Sequence, residues 1–144
     1  MRLWHKDLIP FLPNKMLVSQ WRECIAIKRQ WEKGTLKHRL VSYVQDYNKS
    51  TFCLYCIHVA TELNRRNIKY KQSLLKELLD FTDYKPLQNY KEHNLRYLEQ
   101  CLLNLQEKAD RGIINVKEWE VIESNFWLDL TFNGGRYYEK KEEK

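Results

Sequence analysis

Apolar residues recur at helical spacing across residues 14–33. At 100° per residue, a helix here has one apolar face and an opposite stripe of polar and basic side chains. The apolar face contains Leu17, Trp21, Cys24, Ile25 and Trp31. The opposite stripe contains Lys15, Ser19, Arg22, Arg29 and Lys33, with Glu23 on the border between the two. We predict an amphipathic helix that Asn14 caps and Gly34 ends.

Four later segments show the same periodicity, and they predict helices at about 40–47, 50–66, 73–81 and 91–111. In the last of them Leu95, Leu98, Leu102 and Leu105 fall in register, and Gly112 stands where a helix would stop. The long helices are expected to form the core.

The opening segment, residues 1–13, carries Pro10 and Pro13 within four positions. Proline lacks the backbone N–H that a helix interior needs, and it biases the preceding residue toward extended backbone. We predict no regular helix here but an extended arm laid over the domain. The residues of this arm are functional candidates.

Composition favours one all-α domain, a compact helical bundle over residues 1–138, followed by a charged tail at 139–144. A chain of 144 residues is within the size of one domain, and 43% hydrophobic residues can build a core. Only four glycines and three prolines are present, which disfavours short strands joined by tight turns. No segment predicts a membrane span or a secretory signal, so we expect a cytoplasmic protein.

The cysteines and histidines raise the question of a metal site. Cys53-x-x-Cys56 and His58 lie inside a predicted helix among apolar residues, and Cys24 and Cys101 stand alone. A zinc site needs four convergent ligands, so we interpret all four cysteines as buried, reduced thiols. No glycine-rich phosphate loop is present either. We therefore expect no metal and no cofactor.

The positive charge is concentrated at one end of the chain. Residues 1–40 hold nine basic and three acidic side chains, whereas the remaining residues hold sixteen of each. The formal net charge of +6 therefore belongs to the first 40 residues. A local excess of this kind is typical of proteins that bind phosphate-rich partners, although small basic proteins without such partners also exist.

Two short motifs carry a more specific signal. The chain opens with Met1-Arg2-Leu3-Trp4, and about twenty residues later Trp21-Arg22-Glu23 lies within the stretch 17–23. Together they resemble the pyrimidine-dimer DNA glycosylases, the phage-type pyrimidine-dimer endonucleases and their bacterial relatives. In that family a short arm, with arginine just after the nucleophilic residue, precedes a helix containing an aromatic-Arg-Glu triplet.

The resemblance implies a DNA-repair glycosylase with abasic-site lyase activity that excises pyrimidine dimers. It assigns the nucleophile to the α-amine of Met1, which attacks the damaged nucleotide's sugar and forms an imine. As a class, α-amines have a pKa near 8 rather than the 10.4 of lysine, so more of the free base is present near neutral pH. Glu23 would be the catalytic carboxylate. The partner would be duplex DNA with damaged pyrimidines, bound by a monomer and associated with the bacterial nucleoid.

The resemblance also implies DNA contacts. Phosphate-binding candidates are Arg2 and Arg22, with Lys15, Arg29 and Lys33 on the same stripe. The family's second helical arginine is replaced here by Ala26, and Arg29 is the candidate substitute. Near the carboxyl end, Arg136, Tyr137 and Tyr138 are similar to an aromatic-basic cluster of the family, in a different order. The alternative is a non-catalytic basic helical module that binds nucleic acid or a protein.

Overall fold

The computed structural model describes residues 1–127, in which helices alternate with loops and no strand occurs. The α-helices are α1 (Asn14–Lys33), α2 (Lys49–Arg65), α3 (Gln72–Asp80), α4 (Leu95–Asp110) and α5 (Val116–Asn125), and two 3-10 helices span Lys6–Phe11 and Ser42–Asp46. The predicted all-α class is confirmed.

Helix α1 matches its predicted bounds, but its first cap does not. Gly34 ends the helix in the left-handed conformation, with φ 69°, and its N–H bonds to the last carbonyls. Asn14 is the first helical residue rather than the cap, and its side chain accepts a hydrogen bond from Arg66 Nη1 at 3.0 Å. Pro13 holds the cap position, where its missing N–H costs no helical bond.

The arm is extended only over its first five residues, after which the 3-10 helix begins. The prediction of an extended arm without regular helix is therefore wrong for residues 6–11, where a 3-10 helix forms. Pro10 lies inside this turn. A 3-10 helix is used in short pieces, so it tolerates a proline that would break a longer α-helix.

Three other elements differ from their predictions. The segment 40–47 forms a 3-10 helix, and α4 begins four residues late because Asn94 caps it by accepting from the Tyr97 N–H. Helix α5 was missed. Its signal is a capping box in which Asn115 and Glu118 each bond to the other's backbone N–H.

Helices α1 and α2 run antiparallel at the centre of the fold. Arg66 reaches the carbonyl of Leu12 at one end, and the Trp31 ring lies 6.0 Å from the Phe52 ring at the other. The first 3-10 helix and α3 also pack on α2, and α4 contacts α5. Among residues 1–127, no helix is both long and apolar enough to cross a membrane.

All four cysteines are buried free thiols, as predicted. Burial raises the pKa of Cys53 to about 11, so this thiol is protonated at neutral pH. Residues 1–127 contain no cluster of three or more side chains arranged to hold a metal ion.

Candidate active site

The start of the arm lies against the border of α1. The backbone N–H of Arg2 donates to Glu23 Oε2 at 3.3 Å. Three covalent bonds, about 4.3 Å in total, join that nitrogen to the Met1 amine, so the amine lies within about 8 Å of the carboxylate. The Met1 side chain packs against the core. The arm and α1 thus bring the first amine of the chain beside Glu23.

Gln20 joins the arm to Glu23. Its side chain is 1% exposed and makes four hydrogen bonds. Nε2 donates to Arg2 O at 2.9 Å and to Glu23 Oε2 at 3.2 Å. Oε1 accepts from Trp4 N at 2.8 Å and, at 3.2 Å, shares the single proton of the Tyr55 hydroxyl with Trp4 O, which is closer at 2.6 Å. The reversed amide would set N–H groups against each other, so only this orientation satisfies all four partners.

The next backbone groups of the arm are held by side chains from three other elements. The Tyr97 hydroxyl of α4 donates to Leu3 O, and the Tyr55 hydroxyl of α2 donates to Trp4 O at 2.6 Å. His93, just before α4, accepts from the Lys6 N–H at 3.3 Å. Burial raises the pKa of Tyr97 above its ordinary value, so the phenol stays a donor. These contacts hold residues 3–6 of the arm against the core.

Two buried histidines, one in the arm and one just before α4, pack against each other. The rings of His5 and His93 stack with their centroids 5.5 Å apart. His93 Nδ1 accepts from Lys6, so the ring proton is on Nε2 and is directed to the Tyr43 oxygen at 2.6 Å. Burial, and secondarily the charges of His5 and Lys6, lower the pKa of His93 to about 3. His93 is therefore a neutral structural group at physiological pH.

Arg2 is the cation nearest to this centre. Its guanidinium lies over the Trp4 ring, 5.3 Å from the centroid. Nη1 is buried without a hydrogen-bond partner in the described part of the chain. The Arg2 side chain also lies close enough to the Cys101 thiol to bond with it, so the guanidinium is packed between the arm and α4.

The predicted basic stripe of α1 is exposed as expected. Lys15, Arg22 and Lys33 all face solvent, and Lys15 Nζ donates to Ile113 O at 2.5 Å. At 1.5 Å per residue the stripe from Lys15 to Lys33 is about 27 Å long, enough to follow several phosphates. Neither Arg22 nor Lys33 has an ion-pair partner within residues 1–127.

Arg29 differs from its neighbours on the stripe. Its Nε and Nη2 atoms each bond to a different oxygen of Glu77 at 2.9 Å, a two-pronged contact between α1 and α3. This pairing engages the face of the guanidinium that would bind a phosphate. The predicted residues Arg136, Tyr137 and Tyr138 lie outside the described residues.

Sequence reasoning did not single out Gln20, Tyr55, His93 and Tyr97. Gln20 had a visible signal, because it lies three residues after Leu17 on the face of α1 that the apolar pattern assigns to the core. A polar side chain at such a position must find partners. The other three come from distant parts of the chain, and only the fold brings them to the arm.

Fold and site together define a basic all-α protein whose first residues are fastened beside a helical carboxylate. The family model described as pyrimidine dimer DNA glycosylase matches residues 1–76, more than half of the chain. The protein belongs to the pyrimidine dimer DNA glycosylase family. The match includes the arm, α1, α2 and the first part of α3. No curated protein and no solved structure matches the chain.

Membership gives the general function. The protein is a DNA glycosylase of the pyrimidine-dimer kind, and its substrate is DNA.

Proposed function

We propose that the protein excises pyrimidine dimers from duplex DNA and then cleaves the strand, with the α-amine of Met1 as the nucleophile. The observation that carries the proposal is the hydrogen bond from the Arg2 N–H to Glu23. It places the chain's first amine beside a carboxylate in a basic surface, the arrangement that imine chemistry on a sugar needs. The proposal requires Met1 to keep a free amine.

The reaction would proceed in balanced steps. The lone pair of the amine attacks C1′, and the base leaves with the electrons of the glycosidic bond and takes up a proton. The sugar ring then opens as the nitrogen loses a proton, which gives a protonated imine. This cation acidifies the C2′ hydrogen, so removal of that proton expels the 3′ phosphate and breaks the strand.

Glu23 would stabilise the positive charge that develops at C1′ and on the imine, and would move the protons. The hydrogen-bond donors that the structure gives this carboxylate are the Arg2 N–H and the Gln20 amide, both neutral. No ion pair neutralises it within residues 1–127. A carboxylate without a protein cation keeps its charge available for a cationic intermediate.

The duplex would lie along the exposed basic face. We assign phosphate contacts to Arg2, Arg22, Lys15 and Lys33, and base or backbone contacts to Arg136, Tyr137 and Tyr138. A nucleotide must leave the stack for C1′ to meet the amine, as in glycosylases generally. The monomer would act in the bacterial cytoplasm, on nucleoid DNA.

Borohydride trapping tests the proposal. Protein with its native terminus is incubated with abasic-site duplex and, separately, with ultraviolet-damaged duplex, in the presence of borohydride, which reduces an imine to a stable amine. We expect a covalent adduct whose cross-linked peptide begins at Met1. The matched control carries one extra residue before Met1, which moves the amine without altering any side chain, and it should lose the adduct.

Two results would overturn the proposal. One is strand cleavage by the native protein with no adduct at any borohydride concentration. The other is an adduct at a lysine side chain that persists when the terminus is extended. DNA binding with neither adduct nor incision would favour a non-catalytic basic module.

A further inference from the structure

We infer that Gln20 is a positioning residue that holds the N-terminal arm and the Glu23 carboxylate in one fixed geometry. The inference rests on the proposed function, because it concerns the amine and the carboxylate used there. Gln20 would touch neither the sugar nor the base.

The first argument is the choice of partners. Nε2 has two protons, one directed to Arg2 O on the arm and the other to Glu23 Oε2 on α1. The same Glu23 oxygen also accepts from the Arg2 N–H. One amide group therefore contacts both sides of the centre, and the three hydrogen bonds close a small ring through the backbone of Arg2.

The second argument is rigidity. Gln20 is 1% exposed on the core side of α1, and its Oε1 accepts from Trp4 N and shares the Tyr55 hydroxyl proton with Trp4 O. With all four hydrogen-bonding positions used, the amide cannot rotate without losing buried bonds. Glu23, by contrast, is only half-buried on the border of the helix and is not held by a cation within residues 1–127.

The third argument is the sensitivity of this chemistry to placement. Reacting atoms must sit within about 3–3.5 Å of each other, and a displacement of about 1 Å can cost about 100-fold in rate. A flexible terminus would spend most of its time away from the sugar. Gln20 supplies what the terminus lacks, since it ties the arm to the helix that carries Glu23.

The test compares Gln20→Met with Tyr97→Phe. Methionine is close in size to glutamine but removes all four hydrogen bonds without changing the charge. Tyr97→Phe removes an arm contact as well, at Leu3 O, but no hydrogen bond to Glu23. Both variants destabilise the arm, and only the first removes the side chain that bonds both the arm and the carboxylate.

For Gln20→Met we expect kcat for abasic-site cleavage to fall at least about tenfold, with KM and duplex Kd within about threefold of wild type. For Tyr97→Phe we expect kcat to change by less than about threefold. Thermal unfolding of both variants measures how much stability each has lost. A merely structural role of Gln20 would affect the two variants alike.

Gln20→Leu provides a second measurement. It removes the same hydrogen bonds with a different apolar shape and adds no charge beside Glu23, so the same fall in kcat is expected.

Three outcomes would overturn the inference: kcat within threefold of wild type for Gln20→Met, an equal fall in kcat for Tyr97→Phe, or loss of cooperative unfolding in both Gln20 variants. The proposed function is judged separately. If the wild type forms no borohydride adduct, the proposed function fails. If it forms the adduct and Gln20→Met forms it equally fast, only the role of Gln20 fails.

Discussion

The two halves of α1 differ in whether their charged side chains form ion pairs. Toward the carboxyl end, Lys28 and Arg29 both bond to Glu77, and Lys28 also pairs with Glu32 at 2.5 Å. In the first half of the helix, Arg22 and Glu23 are adjacent in sequence, and neither forms an ion pair within residues 1–127.

The difference separates structural charge from charge available to a substrate. At the paired end, attraction between opposite charges fastens α1 to α3, and burial of the Lys28 side chain keeps it in place. At the other end the carboxylate is held by neutral N–H groups and Arg22 projects into solvent. Only the second arrangement leaves charge free to meet phosphate or a cationic intermediate.

The largest effect is expected for Glu23→Gln, with Glu77→Gln as the matched control. Glu23→Gln removes the charge and the proton-transfer capacity while keeping the shape, so incision of ultraviolet-damaged plasmid should fall at least about 100-fold. The affinity for duplex DNA should stay the same or increase, because the substitution removes a negative charge from a basic surface. Glu77→Gln should keep its incision rate within about threefold. Equal incision by wild type and Glu23→Gln would remove the distinction between the two ends.

A second effect concerns the neutral support of the arm. Because the pKa of His93 is lowered to about 3 on folding, the unfolded chain takes up this proton near pH 6.5 and the folded chain does not. Stability is therefore full above pH 6.5 and is lost as the pH falls toward 3, by about 2 kcal/mol at pH 5. The groups facing His93 are His5, Lys6 and four tyrosines, Tyr43, Tyr55, Tyr90 and Tyr97.

Urea unfolding of wild type and His93→Gln at pH 7 and pH 5 measures this term. The variant should be less stable at pH 7, because it loses packing, yet should lose less stability between the two pH values. A pH dependence that is the same in both proteins would show that His93 does not remain neutral in the fold.

A third, smaller effect compares the two arginines. Arg22→Gln should weaken binding to undamaged duplex about five- to tenfold and lower the slope of log affinity against log salt by about 0.9, the loss of one phosphate contact. Arg29→Gln should change affinity less than about twofold, since Glu77 already engages that guanidinium. Titrations at several salt concentrations measure both. A larger loss for Arg29→Gln would mean that DNA displaces Glu77.

The smallest effect is on stability at the paired end. The hydrogen bond from Arg29, together with Lys28, lowers the pKa of Glu77 to about 2. The stability that ionised Glu77 contributes is thus present above pH 4.5 and is lost as the pH falls toward 2. Glu77→Gln should reduce the free energy of unfolding at pH 7 by only about 1 kcal/mol, because the pair is partly exposed. A denaturant titration measures this difference in the free energy of unfolding. Equal values for wild type and variant would mean that water replaces the ion pair without loss of stability.

Helix positions were the most predictable part of this protein. The bounds of α1, α2 and α3 follow from apolar spacing within one or two residues. The errors fall where a side chain, rather than periodicity, sets the boundary: Asn94 delays the start of α4, and Asn115 begins the unforeseen α5. Caps act through single hydrogen bonds, which a periodic pattern does not report.

The candidate site was predictable in its residue types but not in its support. Arg2, Arg22 and Glu23 were chosen because two short motifs resemble those of a known family. The match to residues 1–76 confirms that the chain belongs to this family. Their individual roles stay predictions. Within residues 1–127 Arg29 is paired and Arg22 is not, and no pattern in the sequence indicates this difference, because both lie on the same exposed stripe.

The sequence by itself determined the helices, the basic first 40 residues and the family, because these depend on local spacing, charge and motif. The tertiary structure alone decided where the first amine lies. Its position depends on the hydrogen bonds of Arg2 with Gln20 and Glu23, 18 and 21 positions away, and on the packing that brings the arm onto α1. Such contacts form only when the core brings α1, α2 and α4 together, so no local pattern encodes them.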